Sequence, residues 1–412
     1  MGRTISRRTV PNGGHGPQVP PATGMKQNNV SKQPIQLPVE LWWKVIDFAV
    51  DNFSYDENGR AQLRELARVS RAWCTRCRLR AEERLDIIER NKTEVHQLIK
   101  RLDEHPERYS VIKRVHFVNH KINNFGSFAV RMAGKLVHVE RLYCGNHGMW
   151  PWCEWDPGQL HAHGFLHVRV AFESVTTLHL FGISFPSAAV FGRLLSALPR
   201  LASLTCEYVL FKKRGIVRAT GPCLLRTVDL NSSPGVIDFL VTTGAGTSLR
   251  YVTVCGPVEA WSSLVVTAAP SLSSLHISPT DYSPGKYDGT GLLPNLTLAQ
   301  NLRILSIDLF PAFDPRQLVA TLPRASLPSL DEIGITALQS DDSIKVDDSD
   351  NDSYTQIDRV LSGRRFPTLR KVTLHLRCRV APGKAMDVTS EVSWRIHLSS
   401  KLPLLHASGR LL

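Results

Sequence analysis

The 412-residue sequence predicts an α/β solenoid preceded by a small all-α module. Three observations carry that prediction. A short phrase, apolar-x-x-apolar-x-apolar, recurs from residue 112 onward. The stretches between its copies have helical patterning. Ahead of the first copy, the apolar residues follow helical spacing alone.

The phrase occurs as Ile112-Val115-Phe117, Val139-Leu142-Cys144, Val175-Leu178-Leu180, Leu201-Leu204-Cys206 and Leu225-Val228-Leu230. It continues as Leu249-Val252-Val254, Leu272-Leu275-Ile277, Leu302-Leu305-Ile307, Leu330-Ile333-Ile335 and Leu369-Val372-Leu374. All but two of the intervals between central residues lie between 23 and 30 residues, the length of one strand plus one helix in a leucine-rich repeat. One such unit cannot bury its own apolar face, so neighbours stack and share a core. Helices are predicted in "FPSAAVFGRLLSALP", "SPGVIDFLVTTG", "VEAWSSLVVTAAP" and "FDPRQLVATLP". Each opens near Pro, Ser or Asp, and several end on Pro, which stops a helix and turns the chain back. The consensus asparagine is missing: Ile183 holds its place after Leu178-His179-Leu180, ahead of Phe185. The expected architecture for 106–412 is therefore an irregular leucine-rich-repeat horseshoe.

Two intervals are long, 36 residues carrying "GMWPWCEWDPGQLHAHGF" and 39 carrying "QSDDSIKVDDSDNDS". Extra residues in a repeat array go into loops on one face, often the binding face. Trp150, Trp152 and Trp155 read as packing their loop onto the solenoid rather than as interface anchors. Cys144, His147, Cys153, His161 and His163 match no paired-ligand spacing, and Cys144 belongs to a strand phrase, so no metal is assigned. Asp348, Asp350 and Asp352 have calcium-loop spacing, but Ser353 and Arg359 stand where Gly and a bidentate Glu are required. That run reads as solvated and mobile. There is no G-x-S-x-G elbow, no H-E-x-x-H and no phosphate-binding Gly-rich loop ending in Gly-Lys-Ser/Thr, so neither an enzyme nor a cofactor is predicted.

The net charge of +13 is spread along the chain without a dense basic run, which argues against nucleic acid as partner. Residues 1–33 hold Arg3, Arg7, Arg8, Lys26 and Lys32, no acidic residue and little to bury, and read as a disordered basic leader. Its "MGRTIS" fits the N-myristoylation pattern at Gly2, although a chance match in a disordered tail is the favoured reading. Eight scattered cysteines with no secretory signal ahead of them point to reduced thiols and a cytoplasmic or nuclear protein. No apolar run approaches the ~18 residues needed to cross a bilayer.

The segment "LPVELWWKVIDFAV" at 37–50 reads as a helix with apolar residues over roughly 220° of its circumference, about twice what a surface helix needs. A polar connection at 51–62 follows. A second helix is expected from Gln62, with Leu63, Leu66, Ala67, Val69, Trp73, Cys74 and Cys77 on one arc, so that Cys74-x-x-Cys77 is core rather than redox-active.

"LPVELWWKVIDFAV" followed by "LRELARVSRAW" resembles the F-box motif: Leu-Pro-x-Glu-Leu, a short apolar helix, then Leu-x-x-x-x-x-Val-Cys/Ser-Arg-x-Trp. Ser70 takes the Cys/Ser place and Trp73 closes the pattern, and the resemblance covers 35–80. The whole chain looks like the basidiomycete F-box proteins with divergent leucine-rich repeats, as in "SVTTLHLFGISFPSAAVFGRLLSALPRLASL" and the closing "LPLLHASGRLL". The resemblance implies a non-catalytic substrate receptor. Its helices would dock a Skp-type adaptor, which bridges to a cullin–RING ubiquitin ligase, while the repeats present a protein substrate. Carried over position by position, the adaptor-binding candidates are Leu37, Pro38, Leu41, Val45, Ile46, Leu63, Val69 and Trp73, some of which must instead pack the helices together. The sequence departs from the family in the long 51–62 connection and in Ala49, where many members carry Leu. The expected organisation is a leader at 1–33, F-box and linker helices at 34–105, and repeats at 106–412. The alternative is a leucine-rich-repeat interaction scaffold with no ligase association, in which the first helix caps the solenoid; such a cap should have a polar outer face.

Overall fold

A computed structural model describes residues 38–52, 57–118, 124–146, 153–155, 162–213, 224–278, 296–309, 326–340, 351–379 and 390–412. In chain order the strands are β1 (Arg84–Ile88), β2 (Arg114–Val118), β3 (Arg141–Gly145), β4 (Cys153–Glu154), β5 (Thr177–Phe181), β6 (Ile183–Ser187), β7 (Ser203–Glu207), β8 (Leu210–Lys213), β9 (Thr227–Asn231), β10 (Tyr251–Cys255), β11 (Ser274–Ser278), β12 (Ile304–Leu309), β13 (Glu332–Ser340) and β14 (Lys371–Arg379). The helices are α1 (Val39–Asn52), α2 (Glu57–Val69), α3 (Arg71–Glu82), α4 (Lys92–Asp103), α5 (Phe125–Met132), α6 (Ala162–Ala171), α7 (Ala188–Ser196), α8 (Pro234–Thr242), α9 (Val258–Ala268), α10 (Asn351–Ser362), α11 (Glu391–Lys401) and α12 (Pro403–Ala407).

Each of the ten phrases becomes a strand of one parallel sheet. Among the described residues that sheet has 11 strands, and they pair in chain order with β4, β6 and β8 left out. All three apolar residues of every phrase are buried. Like positions align across the sheet: Leu142 pairs with Leu178, Leu178 with Leu204, Leu204 with Val228, and Val252 with Leu275. A slip of one residue would turn every apolar side chain to the open face, so the pattern pins the register. Helices α7, α8 and α9 form where "FPSAAVFGRLLSALP", "SPGVIDFLVTTG" and "VEAWSSLVVTAAP" place them, and close one face of the sheet; "FDPRQLVATLP" lies outside the described residues. Aromatic rings fill the space between: Phe117 meets Phe125 and Phe128 edge-on with centroids 5.0 Å apart, and Phe191 meets Phe239 at 5.0 Å.

The array begins earlier than 106. Strand β1 pairs with β2, Leu85 opposite Val115 and Ile87 opposite Phe117. Helix α4 adds Val95, Ile99 and Leu102 to the same core and starts with an Asn91–Glu94 capping box. The expected boundary at 105/106 is therefore corrected to Arg84. The phrase missed this strand because its first position is Glu82, an exposed polar residue.

Strands leave the sheet through a shared turn. Glu89, Gly182, Tyr208, Ser232 and Gly256 directly follow β1, β5, β7, β9 and β10, and all have positive φ. The turn aims each N–H at the last carbonyl of the next strand: Glu89 at Val118 (2.8 Å), Gly182 at Glu207 (2.8 Å), Tyr208 at Asn231 (2.9 Å) and Ser232 at Cys255 (3.1 Å). At φ 137°, Gly256 lies where a side chain is not tolerated.

The 36-residue interval is more than a loop. It supplies β4 to a second parallel sheet, ordered β4-β6-β8. Ile183 and Phe185, which stand near the missing consensus asparagine, are fully buried on β6. Trp155 is 2% exposed and packs on Phe185 (4.9 Å) and Phe125 (5.7 Å), as the packing reading required. Trp150 and Trp152 lie outside the described residues. In the 39-residue interval β13 runs to Ser340 and α10 starts at Asn351, so Asp352 and Ser353 are helical; 341–350 lie outside the described residues. At the C-terminal edge the backbone of Val372 on β14 pairs with Arg410 and Leu412 (2.7 and 3.1 Å), so "LPLLHASGRLL" folds back over the strand. Asp358 of α10 anchors this return by accepting from the N–H groups of Leu404 and Leu405 (2.8 and 2.9 Å).

Candidate functional site

Ahead of the sheet, α1, α2 and α3 form a small module of their own. The helix expected from Gln62 is broken at Ser70, which is extended (φ −161°, ψ 167°) and caps α3 by accepting from the Trp73 N–H at 3.2 Å. The 51–62 connection is also shorter than the sequence suggested, since α1 runs to Asn52 and α2 starts at Glu57. Both changes bring α1 and α3 into direct contact. Arg76 Nε donates to Asp47 at 2.9 Å, its second nitrogen closes the fork, and Arg80 stands 3.4 Å from the same carboxylate. The hydrogen bond to Asp47 raises the Arg76 pKa further. Arg76 also sits 5.8 Å over the Trp43 ring. Trp42 packs on Trp73 with centroids 5.2 Å apart.

The wide apolar arc of α1 thus divides into two faces. The inner face carries Ile46, fully buried, with Trp42, Ala49 and Val50 half-buried. The outer face carries Leu41 (43% exposed), Val45 (48%) and Phe48 (74%), with Val69 of α2 at 61%. Leu41, Val45 and Phe48 are contiguous on the α1 wheel: Phe48 falls about 20° from Leu41. Phe48 was absent from the sequence candidates, although that wheel position would have found it. Of those candidates, Pro38, Leu41, Val45 and Val69 are exposed, and Leu63 and Trp73 are half-buried. Ile46, at 0% exposure, is one of the candidates that pack the helices together rather than face outward. Leu37 lies outside the described residues. Cys77 is buried as expected, and burial pushes its thiol pKa up. Neither Ile46 nor Cys77 belongs to the solenoid core. The module is joined to the array at Glu83, whose carboxylate holds Arg80 (2.5 Å) and Lys113 (3.0 Å) while its carbonyl accepts from Lys113 and Arg114.

The open face of the sheet is polar and changes sign along the array. On the first strands Arg84, Arg114 and Arg141 stand in register. Further along, His179 meets Glu207 at 3.0 Å and His276 meets Asp308 at 3.2 Å. Burial works to raise the Asp308 carboxyl, but the bond and charge of His276 outweigh it and hold it low. Between these pairs, burial and then the charge of Glu207 raise the Asp229 pKa. Cys144 and Cys153 are both buried, and burial raises the pKa of Cys144 far beyond the ordinary thiol range. His147, His161 and His163 fall outside the described side chains, and among the described residues no group of three or more His, Cys, Asp or Glu gathers as a metal site. No described helix is long and apolar enough to cross a membrane.

Together these elements define an α/β solenoid of parallel strand–helix repeats with a helical module at its start. Among solved structures the chain is similar to the leucine-rich repeat-containing protein LegL7 from Legionella pneumophila, at 14% identity, covering 69% of this chain and 92% of that one, with a TM-score of 0.41. No family model matches the sequence, and no curated protein matches it.

Proposed function

We propose that the protein is a non-catalytic substrate receptor of a Skp–cullin–F-box ubiquitin ligase, with α1–α3 docking a Skp-type adaptor and the solenoid holding the substrate. The observation that carries this reading is the outer face of α1–α2. Leu41, Val45, Phe48 and Val69 are exposed on a module whose inner face is already filled by Ile46, Trp42 and Trp73. A helix that only capped the solenoid would present polar residues there. A cluster of exposed apolar side chains on one helix face suits a protein partner. The receptor works by proximity, raising the substrate's effective concentration beside the ligase.

The test is co-purification of a Skp adaptor with the full chain and with a Leu41→Asp/Val45→Asp variant. Capture by the native chain and its loss in the variant, with unchanged circular dichroism, are expected. Absence of capture by the native chain would leave the interaction-scaffold reading and remove the ligase.

A further inference from the structure

The first repeats build a pocket on the open face that the adaptor reading does not use. Its rim belongs to a row in strict register, Arg84 opposite Arg114, Arg114 opposite Arg141, Arg141 opposite Thr177 and Thr177 opposite Ser203, of which Arg114, Arg141 and Thr177 line the cavity. Its floor is the next outward row, His116, Tyr143, His179 and Thr205, likewise in register. The floor rings contact one another in series, His116 to Tyr143 at 5.5 Å and Tyr143 to His179 at 4.8 Å. The cavity holds about 240 Å³ and is lined by Arg114, Arg141, Tyr143, Thr177, His179 and Thr205 among others.

Parallel strands lie about 4.8 Å apart, so three stacked guanidiniums repel one another. Arg84 donates to Asp86 at 2.6 Å. Arg141 is exposed and makes no ion pair among the described residues. The floor feels these charges, with Asp86 partly opposing them. His116 is buried and held neutral, and after burial the largest influence lowering its proton affinity is Arg84, with Arg114 adding to it. A site with guanidinium forks and a threonine hydroxyl at its rim offers the donors that a bidentate oxyanion demands. The volume is below the roughly 300–1,000 Å³ of small-molecule pockets, and suits one charged side-chain head. On the far side Glu207 and Asp229 repel negative charge, so an anionic group is confined to the first strands.

We propose that the pocket between β2, β3 and β5 receives the oxyanion head of an acidic peptide segment, carboxylate or phosphate, through Arg114, Arg141 and Thr177. The inference deepens the receptor reading and rests on it only for the ligand being a protein substrate. Its test needs no adaptor, so failed adaptor capture and failed peptide binding are separate results.

The experiment is fluorescence anisotropy of the full chain with labelled glycine-flanked pentapeptides bearing glutamate, phosphoserine, serine or lysine at the centre. Binding of the glutamate or phosphoserine peptide at least tenfold tighter than serine, with lysine not bound, is expected; whichever of the two binds more tightly identifies the source of the oxyanion. Arg141→Glu, at an exposed rim position, should fold normally by circular dichroism and lower that affinity at least tenfold. Arg114→Gln/Arg141→Gln should do the same, and millimolar inorganic phosphate should compete. Equal binding of the serine peptide, or unchanged affinity in a folded Arg141→Glu chain, would overturn the proposal. So would tighter binding of a short RNA oligonucleotide that displaces the peptide, since the row would then contact nucleic acid.

Discussion

The carboxylate of Asp47 on α1 is clasped by the guanidinium of Arg76 on α3, with Nε 2.9 Å from one oxygen and the second nitrogen on the other. Asp47 is one of the few polar side chains of α1 and is not left wholly to solvent. It is instead the polar clamp that fixes the inner face of α1, and so decides which apolar residues remain outside. Replacing Asp47 by Ala should destabilise the α1–α3 module by about 1 kcal/mol, the upper range for a bidentate pair of this exposure. A urea titration of residues 34–83, followed by Trp42 and Trp73 fluorescence, measures it. A midpoint unchanged from the native module would show that the clamp contributes nothing.

Ile46 and Leu41 should separate core from surface. Ile46→Ala removes a fully buried side chain from a module with little else to bury, and large-to-small core changes cost about 2–5 kcal/mol. The module should lose helix. Leu41→Ala, at 43% exposure, should shift stability by less than about 0.5 kcal/mol. Helical signal at 222 nm distinguishes them; equal losses would mean that Leu41 is a packing residue.

The corrected boundary has a direct consequence. A fragment of 84–412 keeps β1 and α4, whereas 106–412 removes Val95, Ile99 and Leu102 and bares the edge of β2. The longer fragment should melt within a few degrees of the full chain. The shorter one should melt well below it and associate in size-exclusion chromatography through the unpaired edge. Similar behaviour of the two would show that the first repeat is dispensable.

His116 makes stability depend on pH. Its folded pKa is pushed from 6.5 down to about 3, chiefly by burial and secondarily by Arg84. The unfolded chain binds a proton below 6.5 that the folded chain refuses. This contribution is intact above pH 6.5 and is lost as pH falls from there toward 3, at about 1.4 kcal/mol per unit. Between pH 7.5 and 5.0 the native chain should lose about 2 kcal/mol that a His116→Gln variant does not. Parallel urea titrations at the two pH values check this, and equal slopes for both chains would assign the dependence elsewhere.

Ser233 is a test of the turn that joins the two sheets. Its buried hydroxyl accepts from the Val209 N–H at 3.0 Å and lies within donating distance of the Cys206 and Asn231 carbonyls. Ser233→Ala leaves the buried Val209 N–H without its acceptor, and should cost about 1–3 kcal/mol in thermal or urea melts. A loss below about 0.5 kcal/mol would place water at that N–H.

Sequence periodicity alone determined the ten strands, their register and the three α7–α9 helices, because burial against a stacked neighbour repeats with the chain and leaves its spacing in the residues. Val115, Leu142 and Leu178 could occupy no other face. A recurrent hydroxyl was also legible and was missed: Ser174, Ser248, Ser271 and Thr368 each precede a phrase and bond the carbonyl of the preceding repeat's first apolar residue. Tertiary structure decided what spacing does not encode. Strand β1 was hidden because Glu82 breaks the phrase, yet Leu85 and Ile87 are buried by pairing with residues 30 positions away. The helix expected from Gln62 was read as continuous because Ser70 breaks no amphipathic arc; the Ser70 side chain instead starts a new helix by accepting from the Trp73 N–H. Ile46 and Leu41 are equally apolar, and only the Asp47–Arg76 clamp and the Trp42–Trp73 contact determine which of them turns inward. The row of Arg84, Arg114 and Arg141 likewise spans 57 residues of sequence and exists only across three adjacent strands. A local pattern records which face each residue buries; which residues meet on an open face depends on how many residues each repeat spends before the next strand returns.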